Sequence, residues 1–193
     1  MCSSDLTDEQ QLAEIVLAED LRLQHIVEDL LLLTRMDEGT VDLRRREVDL
    51  DDIVFEEAAR LRASAGDLRV DTSKVSSGRV RGDESHLDRL VRNLIENAGR
   101  HAHTKVALSL RETNGEVVLT VDDDGEGIAP DDRDRIFDRF LRLQDARDRD
   151  SGGTGLGLAI VREIANAHSA TVSVRNAPKG GARLEVRFPS LDL

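Results

Sequence analysis

The chain carries Gly-Gly-Thr-Gly-Leu-Gly-Leu at residues 152–158, and this glycine run opens directly into an apolar, helix-like segment, Ala159-Ile160-Val161. Two further blocks lie upstream. Asp123-Asp124-Gly125-Glu126-Gly127-Ile128 follows a strand-like stretch, and Asn93-Leu94-Ile95-Glu96-Asn97-Ala98 sits inside a helical one. One glycine run alone constrains little. Three such blocks in this order restrict the chain to folds in which a helix face, a strand end and a glycine hinge converge on one pocket closed by a loop.

The glycine block fails two common phosphate-binding templates. It lacks the Lys that follows glycine in a P-loop, and Arg147-Asp148-Arg149-Asp150-Ser151 stands where a dinucleotide fold would place a strand. What remains is a hinge whose following helix presents its first amides to phosphate oxygens. The plain alternative is a flexible loop without a ligand. A calcium loop around Asp122, Asp124 and Gly125 is the competing reading, and register disfavours it, because Thr120 would fall at the first ligand position and Asp131 at the twelfth.

The helix read over 83–101 divides by face. Leu87, Leu90, Val91, Leu94, Ile95 and Ala98 share one side at about 100° per residue, and Asn93, Asn97, Arg100 and His101 gather on the other. Such a polar face is ordinarily solvated, yet Glu and Lys usually fill it, whereas here two asparagines stand one turn apart. Asn97 offers a neutral oxygen suited to Mg²⁺, and Arg100 and His101 offer donors for phosphates. Asp123, at a strand end, is a carboxylate able to accept from an exocyclic amine such as that of adenine, while Gly125 and Gly127 let the backbone approach a ligand.

Around these blocks the pattern predicts a helix over 50–64 and strands over 68–72 and 79–81. A hairpin of 105–110 with 116–121 turns at Thr113-Asn114-Gly115, a helix spans 154–168, and strands over 171–174 and 184–188 meet through Gly180-Gly181. Asp83 reads as the N-cap of its helix. Hairpin-joined strands mixed with helices predict an α+β fold, a two-layer α/β sandwich with one helical layer. Residues 1–8 read as disordered or foreign to the native chain. From about residue 9 to 36, Leu12, Ile15, Val16, Leu23, Ile26, Val27, Leu30 and Leu33 form a long amphipathic stripe, ended by Gly39. That stripe either packs on its own domain or pairs with another helix, as half of a hairpin or coiled-coil-like dimer.

Composition narrows the function classes. A net charge of −12 argues against nucleic acid and requires local Arg or metal wherever polyphosphate binds. The lone Cys2 forms no internal disulfide, which favours a reducing compartment, and the longest apolar run, 30–33, is far too short for a membrane span. With 39% hydrophobic but only 2% aromatic residues, the core is built from Leu, Val, Ile and Ala.

In order and spacing, NLIENA, DDGEGI, RIFDRF and GGTGLGLAIV resemble the N, G1, F and G2 boxes of sensor histidine kinases, within the wider family of gyrase, Hsp90 and MutL-type ATPases. The resemblance covers 50–193. It implies a Bergerat-type ATP-binding fold, with ATP and Mg²⁺ bound, Asn97 on the metal, and Asn93, Arg100 and His101 along the phosphates. It implies further that Asp123 reads the adenine amine beside Gly125, Gly127 and Ile128, and that 124–153 is the ATP lid. Phe137, Arg139 and Phe140 would form the F-box part of that lid. Gly153, Thr154, Gly155, Leu156, Gly157 and Leu158 would form its hinge and the following helix entry. The stretch from Glu19 to Leu31 resembles the second helix of the family's dimerisation hairpin, which divides the chain into 1–38, a linker 39–49, and the ATP-binding domain 50–193.

The family's phosphoacceptor block, a His followed by Glu-Leu-Arg-Thr-Pro or similar, is missing, and His25 lacks that context, reading as structural. Ser169-Ala170 stands where many relatives have Gly-Gly. Asn93 sits where hydrolytic relatives place a general-base Glu, as expected of a kinase that does not hydrolyse ATP. The expected function is histidine phosphorylation for relay to a response regulator by a homodimeric, cytoplasmic part of a membrane-anchored sensor. A serine kinase of the anti-sigma-factor type and a non-catalytic nucleotide-gated module are the alternatives.

Overall fold

Asp83 begins the most regular helix in the molecule, and it does so as a cap. Its backbone is extended (φ −89°, ψ 116°), and its carboxylate accepts from the amides of Ser85 at 3.1 Å and His86 at 3.4 Å, two groups a helix start leaves without acceptors. The helix that follows, Glu84–His101 (α3), buries Leu87, Leu90, Val91, Leu94, Ile95 and Ala98 almost completely. A computed structural model describes residues 4–38, 42–141 and 154–191 of the chain, with the side chains of 4–15, 18, 21 and 22 left aside.

In chain order the described elements are α1 (Ser4–Asp37), β1 (Arg46–Asp49), α2 (Leu50–Ser64), β2 (Arg69–Val75), β3 (Arg79–Gly82) and α3. There follow β4 (Lys105–Thr113), β5 (Glu116–Asp123), two short 3-10 turns (Pro130–Asp132 and Arg135–Phe137), α4 (Gly157–Ala167), β6 (Thr171–Asn176) and β7 (Ala182–Pro189). The sheet order is β2-β4-β5-β7-β6, antiparallel except for the β2–β4 pair, whose parallel sense is made possible by the crossover through β3 and α3. Asn114 (φ 53°) and Gly115 (φ 75°) supply the two positive φ angles of a tight β4–β5 hairpin turn.

Helices α2, α3 and α4 form a layer packed against the sheet. Val106, Leu108 and Leu110 of β4, Val117, Leu119 and Val121 of β5, and Leu184, Val186 and Phe188 of β7 join the core with them. Several of the intervening sheet residues carry charge. Arg183 grips Asp122 with two bonds of 2.7 and 2.6 Å, and Glu185, itself buried, accepts from Arg175 and Arg187. This is the expected α+β two-layer sandwich.

Several boundaries differ from the sequence reading, each for a local reason. The first helix already begins at Ser4, so residues 4–8 are helical instead of disordered: no Gly or Pro stands there to break a helix. Residues 1–3 lie outside the described residues, as does Gly39, the expected stop. The last part of the stretch read as a linker is β1, paired antiparallel with β3, Val48 against Val80. Helix α4 starts at Gly157 instead of Thr154, because Gly155 takes φ 72° and interrupts helical geometry. Ser169 adopts φ 57° after that helix, the conformation a glycine fills without strain.

Part of helix α1 packs on its own domain. Leu33 is buried, Leu32 nearly so, and Ile26 and Met36 pack on the core, with α4 as neighbour. Arg89 of α3 pairs with Asp29, and Arg139 pairs with Asp37 at 2.6 Å. Val16, Leu17, Leu23, Val27 and Leu31 are each more than half exposed, and Leu30 is exposed to a lesser degree.

Candidate functional site

The site is assembled at the C-terminal end of β5. Asp123, the last residue of that strand, is buried, and its Oδ1 accepts from the amides of Gly125 at 2.9 Å and Ala182 at 3.0 Å. Among the described residues no hydrogen bond reaches Oδ2. Gly181 makes this grip possible: at φ 79°, a Cβ there would lie 2.2 Å from the Asp123 carbonyl oxygen and 2.6 Å from Oδ1. Sequence reasoning took Gly180-Gly181 for a turn only. The signal that it also walls the site, close approach to a residue nearly sixty positions away, is not present in a linear sequence.

The adjoining Asp124 points elsewhere. Its Oδ1 accepts from the amides of His103 (2.9 Å), Thr104 (3.0 Å) and Lys105 (3.0 Å), and its Oδ2 from the amide and hydroxyl of Thr104. Partial burial pushes this carboxyl up, but the bonds from Thr104, Lys105 and His103 outweigh it and hold the pKa far below the usual carboxylate range. Asp124 thereby fastens the turn after α3 to the end of β5, and Gly125 fits against the carbonyl of His101.

Helix α3 supplies the second wall. Asn93 is committed: its Nδ2 donates to Arg89 O at 2.8 Å, and a Cβ at Gly157 would lie 2.7 Å from its Oδ1, so only glycine lets α4 begin this close. Asn97, one turn on, is half-buried and has no side-chain hydrogen bond within the described residues. Arg100 is exposed at the end of the helix and His101 follows it. The third wall is the entry to α4, where Thr154 Oγ1 accepts from Leu156 N at 3.2 Å and Phe140 N donates to Gly155 O at 2.9 Å. Gly127 and Ile128 line an open cleft of about 610 Å³ with Pro130, Asn176 and Gly181, and Arg133 ties Asn176 Oδ1 (2.6 Å) to Ile128 O.

The structure thus brings Asn93, Gly155 and Gly157 together at one side, and Asp123, Gly125 and His101 at the other. It turns some expected site residues away. Phe137 and Leu156 are buried in the core, Leu158 packs partly against it, and the Arg139 guanidinium is held by Asp37. The cause for Phe137 is hydrophobic: Ile136 and Phe137 are the apolar pair of a charged segment, and their 3-10 turn packs on α4. Gly153 and most of the glycine-rich approach lie outside the described residues.

The family model for histidine kinase-, DNA gyrase B- and HSP90-like ATPases matches residues 82–192, the span holding all three walls. The chain belongs to this ATPase family. Within it, similarity runs to sensor kinases. The chain is 37% identical over 186 residues to the sensor-like histidine kinase SenX3 of Mycobacterium tuberculosis, covering 94% of this chain and 45% of that protein. It is 37% identical over 169 residues to the sensor protein RstB of Escherichia coli K12, covering 87% and 39%. It therefore spans less than half the length of these relatives.

Among solved structures, full-length ShkA in complex with AMPPNP superposes with a TM-score of 0.75 at 27% identity, over 94% of this chain and 39% of that one. The ATP-binding domain of PrrB from Mycobacterium tuberculosis superposes with 0.64 at 31% identity, over 76% and 97%. The ATPase fold and the homology to two-component sensor kinases agree with the sequence reading. No described helix is long and apolar enough to cross a membrane.

Proposed function

We propose that this chain is the ATP-binding kinase part of a two-component sensor, holding Mg·ATP so that its γ-phosphoryl group passes to a histidine on a helical hairpin, for relay to a response regulator. When bound, Mg·ATP supplies the phosphoryl group and the cation that offsets the charge on its oxygens. The donor set fits that group. Among the described residues no three His, Cys, Asp or Glu side chains gather to cage a metal, and Asn97 presents one uncommitted amide oxygen. Mg²⁺ carried on phosphates and water needs no more from the protein.

In this reading Asp123 Oδ2 accepts from the adenine amine, its position fixed through Oδ1. Arg100 and His101 face the phosphates, and the first amides of α4 add to them. Asn93 orients the start of α4 and holds no carboxylate with which to activate water. The protein contributes positioning and charge, and the nucleophile comes from the hairpin. The exposed stripe of α1 is the surface on which that hairpin and a second copy assemble. This assigns 1–38 to dimerisation, 39–49 to linkage and 50–193 to ATP binding. His25, the histidine of α1, stands in no acceptor context, so the chain alone acquires no acid-labile phosphate and phosphorylates a separate hairpin in trans.

The observation that carries the reading is the half-satisfied carboxylate of Asp123 at the strand end. Asp123→Ala leaves an adenine amine without its acceptor, at about 1–3 kcal/mol, or roughly five- to 150-fold in affinity. Calorimetry with ADP and Mg²⁺ checks this, and equal affinity of variant and wild type refutes it.

A further inference from the structure

Two carboxylates stand side by side at the end of β5, and only one is absorbed by the proposed function. Asp123 faces the site. Asp124, the residue just past the strand, points away from it and collects the three consecutive amides of 103–105, with the Thr104 hydroxyl in addition. That number of bonds exceeds what a turn needs to close. The turn itself lies immediately after α3, whose last residue, His101, presses its carbonyl against Gly125. Asp124 is therefore the bolt between the helix that carries Asn93, Asn97 and Arg100 and the strand end that carries Asp123.

A second link enters from the same turn. The Lys105 side chain pairs with Asp71 of β2 at 2.7 Å, so the segment that Asp124 holds is also tied to the edge of the sheet. Asp124 thus adds a side-chain link from helix end and turn to a strand end that the β4–β5 ladder already pairs, Val106 against Asp123.

We infer that Asp124 is a positioning residue for base recognition: by clamping residues 103–105 it sets where the Asp123 carboxylate stands relative to α3, and so fixes discrimination for a purine bearing an exocyclic 6-amine. The inference rests on the reading of Asp123 given above, and it predicts something that reading does not. Loss of Asp124 should damage selectivity, whereas general loosening of the fold would weaken all nucleotides alike.

The test compares ADP with IDP, which lacks the amine, by calorimetry with Mg²⁺ on the full 193-residue chain. Wild type should prefer ADP by about tenfold or more, and Asp123→Ala should bind both alike. Asp124→Ala should bring the two affinities together while leaving IDP binding within about threefold of wild type. Asp124→Asn keeps an acceptor at Oδ1, where three of the amide bonds converge, and should restore most of the preference. Should Asp124→Ala not fold, Asp124→Ser, whose shorter side chain reaches fewer of the amides, is read on the same ratio and should lose it.

A wild-type preference abolished by Asp123→Ala but retained in Asp124→Ala, or in Asp124→Ser where that replaces it, overturns the positioning role and leaves the Asp123 reading intact. So does an Asp124→Asn variant as indiscriminate as Asp124→Ala, since charge and not the held turn would then be responsible. Equal binding of ADP and IDP by wild type overturns both.

Discussion

Helices α1 and α3 both carry apolar residues at helical spacing and meet opposite fates. In α3 every stripe residue from Leu87 to Ala98 is buried between the sheet and the flanking helices. In α1, among the described residues, burial reaches Ile26, Leu32, Leu33 and Met36, while Val16, Leu17, Leu23, Val27 and Leu31 face outward. Periodicity alone cannot distinguish the two, since it states that a face is to be covered and not by what. Burial can. Helix α3 is covered within this chain, whereas this face of α1 is left uncovered by the described residues.

The comparison is broken most directly in α3. Leu94→Ala removes a fully buried side chain from the centre of the helical layer and should cost about 2–5 kcal/mol in urea denaturation. A loss below about 1 kcal/mol would mean that α3 is no better packed than α1.

Acid should loosen α3 next. His168 at the end of α4 accepts from the Asp83 amide through Nε2 (3.0 Å), and its Nδ1 lies 2.8 Å from Ile164 O, so it is held as a neutral ring at the start of α3. Burial is the main cause lowering the pKa of both His168 and its neighbour His86. The charges facing them are Asp83, which opposes the shift, and Arg45 and Arg89, which add to it. The unfolded chain binds the proton more readily, so their contribution is complete above about pH 6.5 and declines as pH falls, by at most about 1.4 kcal/mol per unit for each histidine. Denaturation midpoints at pH 7.5 and 5.5 should show this decline in wild type and a shallower one in His168→Gln. Identical slopes would remove His168 from the account.

The smallest effect belongs to α1. Leu23→Glu with Val27→Glu should shift the unfolding free energy by no more than about 0.5 kcal/mol, because neither side chain is covered within the chain. Any self-association of wild type in sedimentation, and transfer to a separate hairpin, should be lost. A large loss of stability would show that this face is buried after all.

How much of this was legible beforehand depended on distance along the chain. The Asp83 cap, the Asn114-Gly115 turn, the α3 stripe and the three site blocks are written within spans of a turn or two, where steric and hydrogen-bonding rules act directly. The pairs that orient the walls are not. Arg89 with Asp29, Arg139 with Asp37, His168 with Asp83, and Asp123 with Gly181 and Ala182 each join residues that no periodicity connects. Phe137 stands in the core for a related reason. Its charged neighbours announce a loop, but two adjacent apolar residues suffice to pull a loop onto a core. Asp124 was weighed only as a calcium ligand, because the amides it collects belong to a turn that its own surroundings do not reveal.

The order of strands has one more consequence. β5 and β7 are direct neighbours, paired from Glu116↔Pro189 to Asp122↔Arg183, yet α4 and everything leading into it lie between them in the chain. The ladder, and not the covalent thread, holds the two sides of the site together. A cut between residues 142 and 153 would leave one piece with β1 to β5 and the other with α4, β6 and β7, each incomplete and each the template for the other. The Asp123 grip joins the two sides, since Gly125 comes from one and Ala182 from the other.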